Sequence, residues 1–242
     1  MFFENINEAP EDPILGLTDE FNKDQNPKKV NLAVGVYQDD TGKTPTFESV
    51  LEAEKILLDM NISKSYKPID GDKEFLLKSI DMIMGEKLLN ENNFYPIGLN
   101  TPGGTGALKL ISEFLMNFSS KSTVWFSNPT WPNHKPIFEA SGFKTNEYEY
   151  FDKTSNIVDF EGMIDSVKKI PSGDTIVLHG CCHNPTGCDL EDDQWNELGS
   201  VLKKNKIITI CDFAYQGLAD GVDEDATGVR KLCEKLDDIF IC

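Results

Sequence analysis

Residues 174–187, DTIVLHGCCHNPTG, combine a short apolar run with a cluster of polar residues that follows it directly. The run has the length and composition of a buried β-strand, and the glycine and proline after it stop the strand. TVWFSNP at residues 123–129 and IITICDF at residues 207–213 have the same form. KTNEYEYFD at residues 144–152 is predicted to be a further single strand.

Helical patterns separate these runs. The apolar residues Leu108, Ile111, Leu115 and Phe118 recur at helical spacing, and Trp195, Leu198 and Leu202 do the same further on. Residues 48–60, 71–85 and 159–170 are also predicted to be helices. Apolar strands that alternate with helices predict an α/β fold, with a mainly parallel mixed sheet and helices on both faces. In such sheets ligands bind at the carboxyl ends of the strands, where the polar residues of this chain gather.

The composition restricts the partners. A formal net charge of −18 over 242 residues disfavours binding to nucleic acid and to anionic membrane surfaces. The chain has no apolar run long enough for a membrane span, and its first residues do not resemble a signal peptide. Six scattered cysteines form no disulfide framework. We therefore expect a cytoplasmic protein.

Four potential zinc ligands, His179, Cys181, Cys182 and His183, lie within five positions. Zinc takes four ligands that converge tetrahedrally, commonly from two pairs far apart in sequence. Adjacent cysteines at a strand end tend to point to opposite faces, and no second pair is present. We expect no metal, although a zinc-binding domain built on this stretch is a rival interpretation.

Three other polar features each have two interpretations. Gly103, Gly104 and Thr105 precede a helical pattern, so they either bind a phosphate or form a flexible turn in which Thr105 caps the helix. Asp212 at the end of an apolar strand needs a donor, which could be a lysine or a helix N-terminus rather than a ligand. Trp131 could be a core aromatic residue.

Several stretches together resemble the pyridoxal-phosphate aminotransferases of fold type I, and among them the aspartate aminotransferases. These stretches are FENINEAPEDPILGL, NLAVGVYQDDTGKTP, SYKPIDG, TPGGTGAL, SNPTWPNHKPIF, LHGCCHNPTG and DFAYQG, in this order. The resemblance covers the whole chain and about the first three fifths of the family's length. It implies transfer of the amino group of aspartate to 2-oxoglutarate. Aromatic amino acids are an alternative substrate class.

The resemblance implies a role for each residue around pyridoxal 5'-phosphate. Asp212 corresponds to the carboxylate that keeps the pyridine nitrogen protonated, and His134 to the histidine behind it. Asn184 and Tyr215 correspond to donors to the ring's phenolic oxygen, and Trp131 to the indole that stacks on the ring. His183 and the cysteines are then packing residues.

The resemblance also implies the phosphate and substrate contacts. Gly103, Gly104 and Thr105 match the phosphate loop. Tyr66 matches a tyrosine that reaches the phosphate of the neighbouring subunit in a homodimer. The substrate contacts match Gly35, Trp131 and Asn184, with Ile14 and Leu15 in an apolar lid.

The domain prediction follows the family. Residues 1–44 are assigned to an N-terminal arm and small-domain segment, and residues 45–242 to a C-terminally incomplete cofactor-binding large domain. In the family the Schiff-base lysine and both substrate-clamping arginines follow the position of Cys242, so we expect this chain to be inactive alone. A truncated, non-catalytic homologue that binds phosphate ligands or a partner subunit is an alternative. Asn128-Pro129 and Asn184-Pro185, at strand ends where the chain turns sharply, are both predicted to be cis.

Overall fold

A computed structural model of the chain describes residue 4 and residues 15–30, 39–91, 95–119 and 121–242. It divides into two compact units, residues 1–65 and residues 66–242. The domain boundary predicted between residues 44 and 45 falls inside the first unit, and the domain assignment stays a prediction.

Among its described residues, the first unit contains two helices, α1 (Leu15–Lys23) and α2 (Glu48–Asp59). A turn between them is organised by Asp39, whose carboxylate Oδ1 accepts hydrogen bonds from the backbone N–H groups of Thr41 and Lys43 at 2.8 and 3.0 Å. Gly42 completes this turn at φ 75°, a conformation that favours glycine. Gly35, which the resemblance assigns to the substrate, precedes this turn and lies outside the described residues.

The second unit is built on a five-stranded sheet in the order β2-β1-β5-β6-β7. Every strand pair in this sheet is parallel, which confirms the predicted architecture. A separate antiparallel pair joins β3 to β4. The strands are β1 (Thr123–Asn128), β2 (Lys144–Glu149), β3 (Phe151–Asp152), β4 (Ile157–Val158), β5 (Thr175–His179), β6 (Ile208–Asp212) and β7 (Phe240–Ile241).

Residues 144–152 are therefore not one strand. Pairing with β1 ends at Glu149, opposite Asn128, and the next residues pair with β4 instead. A pattern of alternating residues cannot show this change of partner, because it does not specify the strand with which each part pairs: β1 for β2, and the nearby β4 for β3.

The part of the second unit that the structure describes contains six helices. They are α3 (Lys73–Glu91), α4 (Gly103–Ser119), α5 (His134–Glu139), α6 (Phe160–Val167), α7 (Asp192–Asn205) and α8 (Thr227–Lys235). Successive residues of β5 enter different cores, because side chains alternate along a strand. Val177 packs with residues of α4 and α5, whereas Ile176 and Leu178 pack with residues of α6, α7 and α8. Helices thus cover both faces of the sheet.

The predicted inward faces are mostly correct. Trp195, Leu198 and Leu202 of α7 are buried, as predicted. Phe118 at the end of α4 is 75% exposed, although it shares the helical spacing of Leu108 and Leu115, which are buried. None of the helices in the described ranges has the length and apolar character needed to cross a bilayer.

Helix α3 contains a break at the residue where the predicted helix 71–85 ends, and it continues beyond that prediction. Gly85 has φ 71° and ψ 157°, which is not helical, and the chain then resumes its helix. Arg230 of α8 lies against this break: its Nε donates to the carbonyl of Ile83 at 2.8 Å, and its Nη2 donates to the carbonyl of Met82 at 3.1 Å. The guanidinium therefore satisfies carbonyl groups at the end of the first part of α3.

Candidate functional site

A cavity of about 260 Å³ opens at the carboxyl ends of the central strands. The strand register places the ends of β5 and β6 side by side, with His179 opposite Asp212. The residues that line the cavity are Gly104, Thr105, Leu108, Trp131, His179, Cys181, Asn184, Asp212, Ala214 and Tyr215. Polar side chains that follow three different strands therefore converge on one space, as expected for a parallel sheet.

Six of the residues proposed from the sequence line this cavity: Gly104, Thr105, Trp131, Asn184, Asp212 and Tyr215. Gly103 directly precedes them at the start of α4. Tyr66 is fully exposed and does not line the cavity. Ile14 and Gly35 lie outside the described residues, and so does the side chain of Leu15.

Asp212 is held from behind by a buried histidine. His134 Nε2 and Asp212 Oδ2 are 2.8 Å apart, and the two side chains are 0% and 12% exposed. The ring of Phe126 is stacked on that of His134, with centroids 5.5 Å apart. The imidazole of His134 thus fixes the direction of one carboxylate oxygen of Asp212, and Asp212 still lines the cavity.

The contact continues through Thr130 to a second histidine. Thr130 Oγ1 lies 2.7 Å from His134 Nδ1 and 3.3 Å from His179 Nε2. Burial, and next the neighbouring His134, lower the pKa of His179 to about 4. This imidazole is neutral at pH 7, so it adds no positive charge beside Asp212. His179 is a cavity residue that the family resemblance did not include, although its position opposite Asp212 follows from aligning the two strand ends.

A third histidine, His183, lies next to His179. Its Nε2 lies 2.9 Å from Ser127 Oγ, its Nδ1 lies 2.8 Å from Thr186 Oγ1, and its ring stacks on Tyr150 at 4.0 Å. Burial, reinforced by the nearby His179, lowers the pKa of His183 to about 3. Each ring nitrogen of His183 thus contacts a hydroxyl group, Ser127 Oγ or Thr186 Oγ1.

The start of α4 forms the opposite wall. Gly103 has φ 72°, and a Cβ added at Gly104 would meet no atom within 4 Å. Backbone N–H groups of a helix N-terminus are thus presented without a covering side chain, which suits an anion. Thr105 is the third residue of α4, so the alternative in which it caps this helix is wrong.

The loop after β5 is held by Asp189. Its carboxylate accepts hydrogen bonds from the backbone N–H groups of Cys182 at 2.6 Å and His183 at 2.8 Å. Asn128-Pro129 and Asn184-Pro185 are both cis, as predicted.

Within the described ranges, no group of three or more His, Cys, Asp or Glu side chains could hold a metal ion. The absence of zinc stays a prediction. We expect elemental analysis of the purified protein to find far less than one zinc per chain. About one zinc per chain, lost in Cys182→Ala, would contradict it.

The loop after β6 is anchored by a buried carboxylate. Asp225 accepts backbone hydrogen bonds from Gly217, Ala219, Asp220 and Gly221, at 2.7 to 3.3 Å. Burial alone would raise the pKa of Asp225, but these four donors outweigh it and lower the pKa. The chain just after Tyr215 is thereby fixed.

Comparison with known proteins identifies the relatives of this arrangement. The family described as "Aminotransferase class I and II" matches residues 27–242. Aspartate aminotransferase of Escherichia coli is 45% identical over 228 residues, which are 94% of this chain and 58% of that protein. An aromatic-amino-acid aminotransferase of Pseudomonas aeruginosa is 39% identical over 241 residues, 99% of this chain and 60% of that protein.

Solved structures agree with the sequence relatives. A crystal structure of aromatic-amino-acid aminotransferase from Burkholderia pseudomallei, covalently bound to pyridoxal phosphate, superposes with a TM-score of 0.92 at 37% identity. It is covered to 60% by the whole of this chain. The cytoplasmic aspartate aminotransferase of Saccharomyces cerevisiae gives a TM-score of 0.88 at 34% identity, with 99% of this chain covering 60% of that one. The chain thus spans about three fifths of the length of these relatives.

Proposed function

Because this chain belongs to the class I and II aminotransferases, we propose that the protein transfers an amino group from an amino acid to a 2-oxo acid, with pyridoxal 5'-phosphate as its cofactor. The observation that carries the proposal is the cavity itself. A histidine-backed carboxylate, Asp212, and the N-terminus of α4 both border this one space.

The chemistry of the wall fits this cofactor. Gly104 has no side chain to cover the backbone N–H groups at the start of α4, so these groups can bind the phosphate. The space beside Gly104 is open and can hold a ligand. The carboxylate of Asp212 suits a protonated ring nitrogen, and the indole of Trp131 offers a flat apolar surface to an aromatic ring. Asn184 and Tyr215 add an amide and a phenol as hydrogen-bond donors.

When bound, the cofactor supplies an electron-withdrawing ring that eases the loss of a proton from the amino acid. The residues of the protein control the protonation of the ring nitrogen and the orientation of its partner. Asp212 holds a proton at the ring nitrogen, because an opposite charge nearby favours the charged form. His134 orients Asp212 through the 2.8 Å contact, and Thr130 orients His134 in turn. Because His179 is neutral, it does not compensate the negative charge of Asp212. That charge therefore remains available to the protonated ring nitrogen.

We propose aspartate as the amino donor and 2-oxoglutarate as the acceptor, which is supported by the 45% identity to an aspartate aminotransferase. Aromatic amino acids are the second candidate, because relatives with that name cover 99% of this chain. Titration of the cofactor-loaded protein with aspartate, phenylalanine and tyrosine, followed by the absorbance of the cofactor, would decide between them without requiring turnover.

A homodimer with large and small domains completes the proposal. Tyr66, which is fully exposed, would reach the phosphate bound to a second copy. Residues 1–44 would belong to the arm and small domain, and residues 45–242 to the cofactor-binding domain. The measured mass in solution, with and without cofactor, tests the dimer.

The decisive experiment measures cofactor uptake by equilibrium dialysis. We expect about one pyridoxal phosphate per chain, much weaker uptake in Asp212→Ala, and loss in Gly104→Val, whose side chain would occupy the space beside the helix N-terminus. Asp237→Ala is the matched control, since its carboxylate lies at the surface and pairs with Lys203. Equal uptake by all four proteins would contradict the proposed site.

A further inference from the structure

Tyr215 lines the cavity, but contacts of its own do not hold its phenol there. The residue is 37% exposed. Within the part of the chain that the structure describes, its side chain forms no hydrogen bond and no ring contact with another residue. The position of the phenol therefore depends on the backbone that carries it.

A buried carboxylate outside the cavity holds that backbone. Asp225 is 7% exposed and does not line the cavity. Its Oδ2 accepts the N–H groups of Gly217 at 2.7 Å and Ala219 at 3.1 Å, and its Oδ1 accepts two more from the same loop. Gly217 lies two positions after Tyr215, so the carboxylate fixes the chain directly beyond the cavity residue.

The same loop has a second attachment, through Gln216. Its Nε2 donates to the carbonyl of Val222 at 2.8 Å and to the carbonyl of Met82, in α3, at 2.9 Å. The first contact closes the loop on itself, and the second joins it to a helix. The residue that follows Tyr215 is thus bound to parts of the chain outside the cavity.

The chemistry of the carboxylate suits four donors. An ionised carboxylate is an acceptor at both oxygens, with about four lone-pair sites, whereas an amide of the same shape has one oxygen and an NH2 group. We propose that Asp225 is a positioning residue: through the loop, it sets where the phenol of Tyr215 lies in the cavity. The consequence for a bound cofactor rests on the proposed function, whereas the position of the phenol does not.

The first test needs no ligand. Protein labelled with fluorotyrosine gives fluorine magnetic-resonance signals from its tyrosines, and Tyr215→Phe identifies the signal of Tyr215. We expect this signal to move in Asp225→Asn, in which the NH2 group faces two of the backbone N–H donors. It should stay in place in the matched control Asp220→Asn, because Asp220 is an exposed residue of the same loop that contacts Asp225 through its backbone alone.

The second test measures the uptake of pyridoxal phosphate by equilibrium dialysis. It compares the unmodified protein with Asp225→Asn, Tyr215→Phe and the double variant. Each single change should weaken uptake about three- to tenfold, as expected for one hydrogen bond. In the double variant, Asp225→Asn should weaken uptake no further, because the hydroxyl through which it acts is already absent. Thermal unfolding should show the same loss from Asp225→Asn with either residue at position 215.

Circular dichroism shows whether each variant is folded, and Asp225→Ser, which keeps one acceptor oxygen, replaces an asparagine variant that is not. An unmoved Tyr215 signal in the folded variant would overturn the proposal. An equal further loss of uptake with tyrosine and with phenylalanine at position 215 would also overturn it, because a merely structural role predicts that result. An unmodified protein that takes up no cofactor would contradict the proposed function alone, and the fluorine signal would still decide whether Asp225 positions Tyr215.

Discussion

Thr130 contacts two histidines of the site through one hydroxyl group. Its Oγ1 lies 2.7 Å from the ring nitrogen of His134 and 3.3 Å from that of His179. Because His134 holds Asp212, the hydroxyl fixes the carboxylate at one remove. Thr130, which does not line the cavity, thus helps to fix the position of Asp212, which does.

Thr130→Val keeps the shape of the side chain and removes the hydroxyl. We expect the free energy of unfolding to fall by about 1–3 kcal/mol, since the buried ring nitrogens lose a hydrogen-bond partner. Urea unfolding followed by circular dichroism measures the change. Thr130→Ser keeps the hydroxyl and should lose much less, so equal losses in the two variants would contradict this role.

The low pKa of His179 makes stability depend on pH. Its pKa is about 4 in the folded chain, against an ordinary value of 6.5, so the unfolded chain binds more protons between these values. The contribution of His179 is complete above pH 6.5 and is lost as the pH falls towards 4. We expect a loss of about 2 kcal/mol between pH 7 and pH 5 from this residue.

Unfolding of the protein and of His179→Asn at both pH values measures that loss by difference. The variant should be the less pH-dependent of the two. The same dependence in both would show that His179 is not buried in its neutral form.

At the scale of elements, α3 and α8 are joined by the only arginine in the sequence. Arg230 donates to the carbonyls of Met82 and Ile83 and pairs with Asp223 Oδ1 at 2.8 Å. Gly85 leaves the room for it, since an added Cβ would lie 3.0 Å from the guanidinium carbon. The break in α3 at Gly85 thus makes room for the side chain of Arg230 from α8, which binds the carbonyl groups there.

Arg230→Met should lower the free energy of unfolding by about 1–3 kcal/mol, because the carbonyls at the break lose charge-assisted donors. Hydrogen exchange of residues 80–91 should also become faster. The matched control is Lys203→Met, which removes an exposed ion pair with Asp237 and should change stability by less than about 1 kcal/mol. An equal change in the two variants would contradict a specific role for Arg230.

Sequence patterns predicted what is local and missed what depends on distant partners. The strand of β5, the inward face of α7 and both cis prolines were predicted correctly. The predicted helix 71–85 ends at Gly85, where the break lies, but the continuation of α3 to Glu91 and the contact with Arg230, 145 positions away in the sequence, were missed. The site roles were carried by the resemblance, whereas the left-handed conformation of Cys182, in the loop after β5, is a feature that no spacing reveals.

At the scale of the whole molecule, stability and ligand binding use different parts of the same sheet. The carboxyl edge carries the cavity, whereas α7 and α8 pack together over one face. Gly228 permits that packing, since an added Cβ would lie 2.4 Å from the Trp195 ring. Gly104, in contrast, faces open space.

Two glycine variants should therefore separate the two properties. Gly228→Ala should lower the free energy of unfolding by about 1–3 kcal/mol through overpacking, with cofactor uptake unchanged under conditions where it is folded. Gly104→Ala should reduce uptake and leave stability within about 1 kcal/mol. Thermal unfolding and dialysis on both proteins measure this, and a variant that changes both properties equally would contradict the separation.

The sequence contains three histidines, and every one of them belongs to the group of contacting imidazoles at the cavity. A sample labelled with nitrogen-15 at histidine alone would therefore give magnetic-resonance signals from this group and from nowhere else in residues 1–242. Tautomer and protonation state could be read for each ring while ligands are added, without a mutation and without background from the surface. The protein thus carries its own spectroscopic probe at the place where its chemistry is proposed to occur.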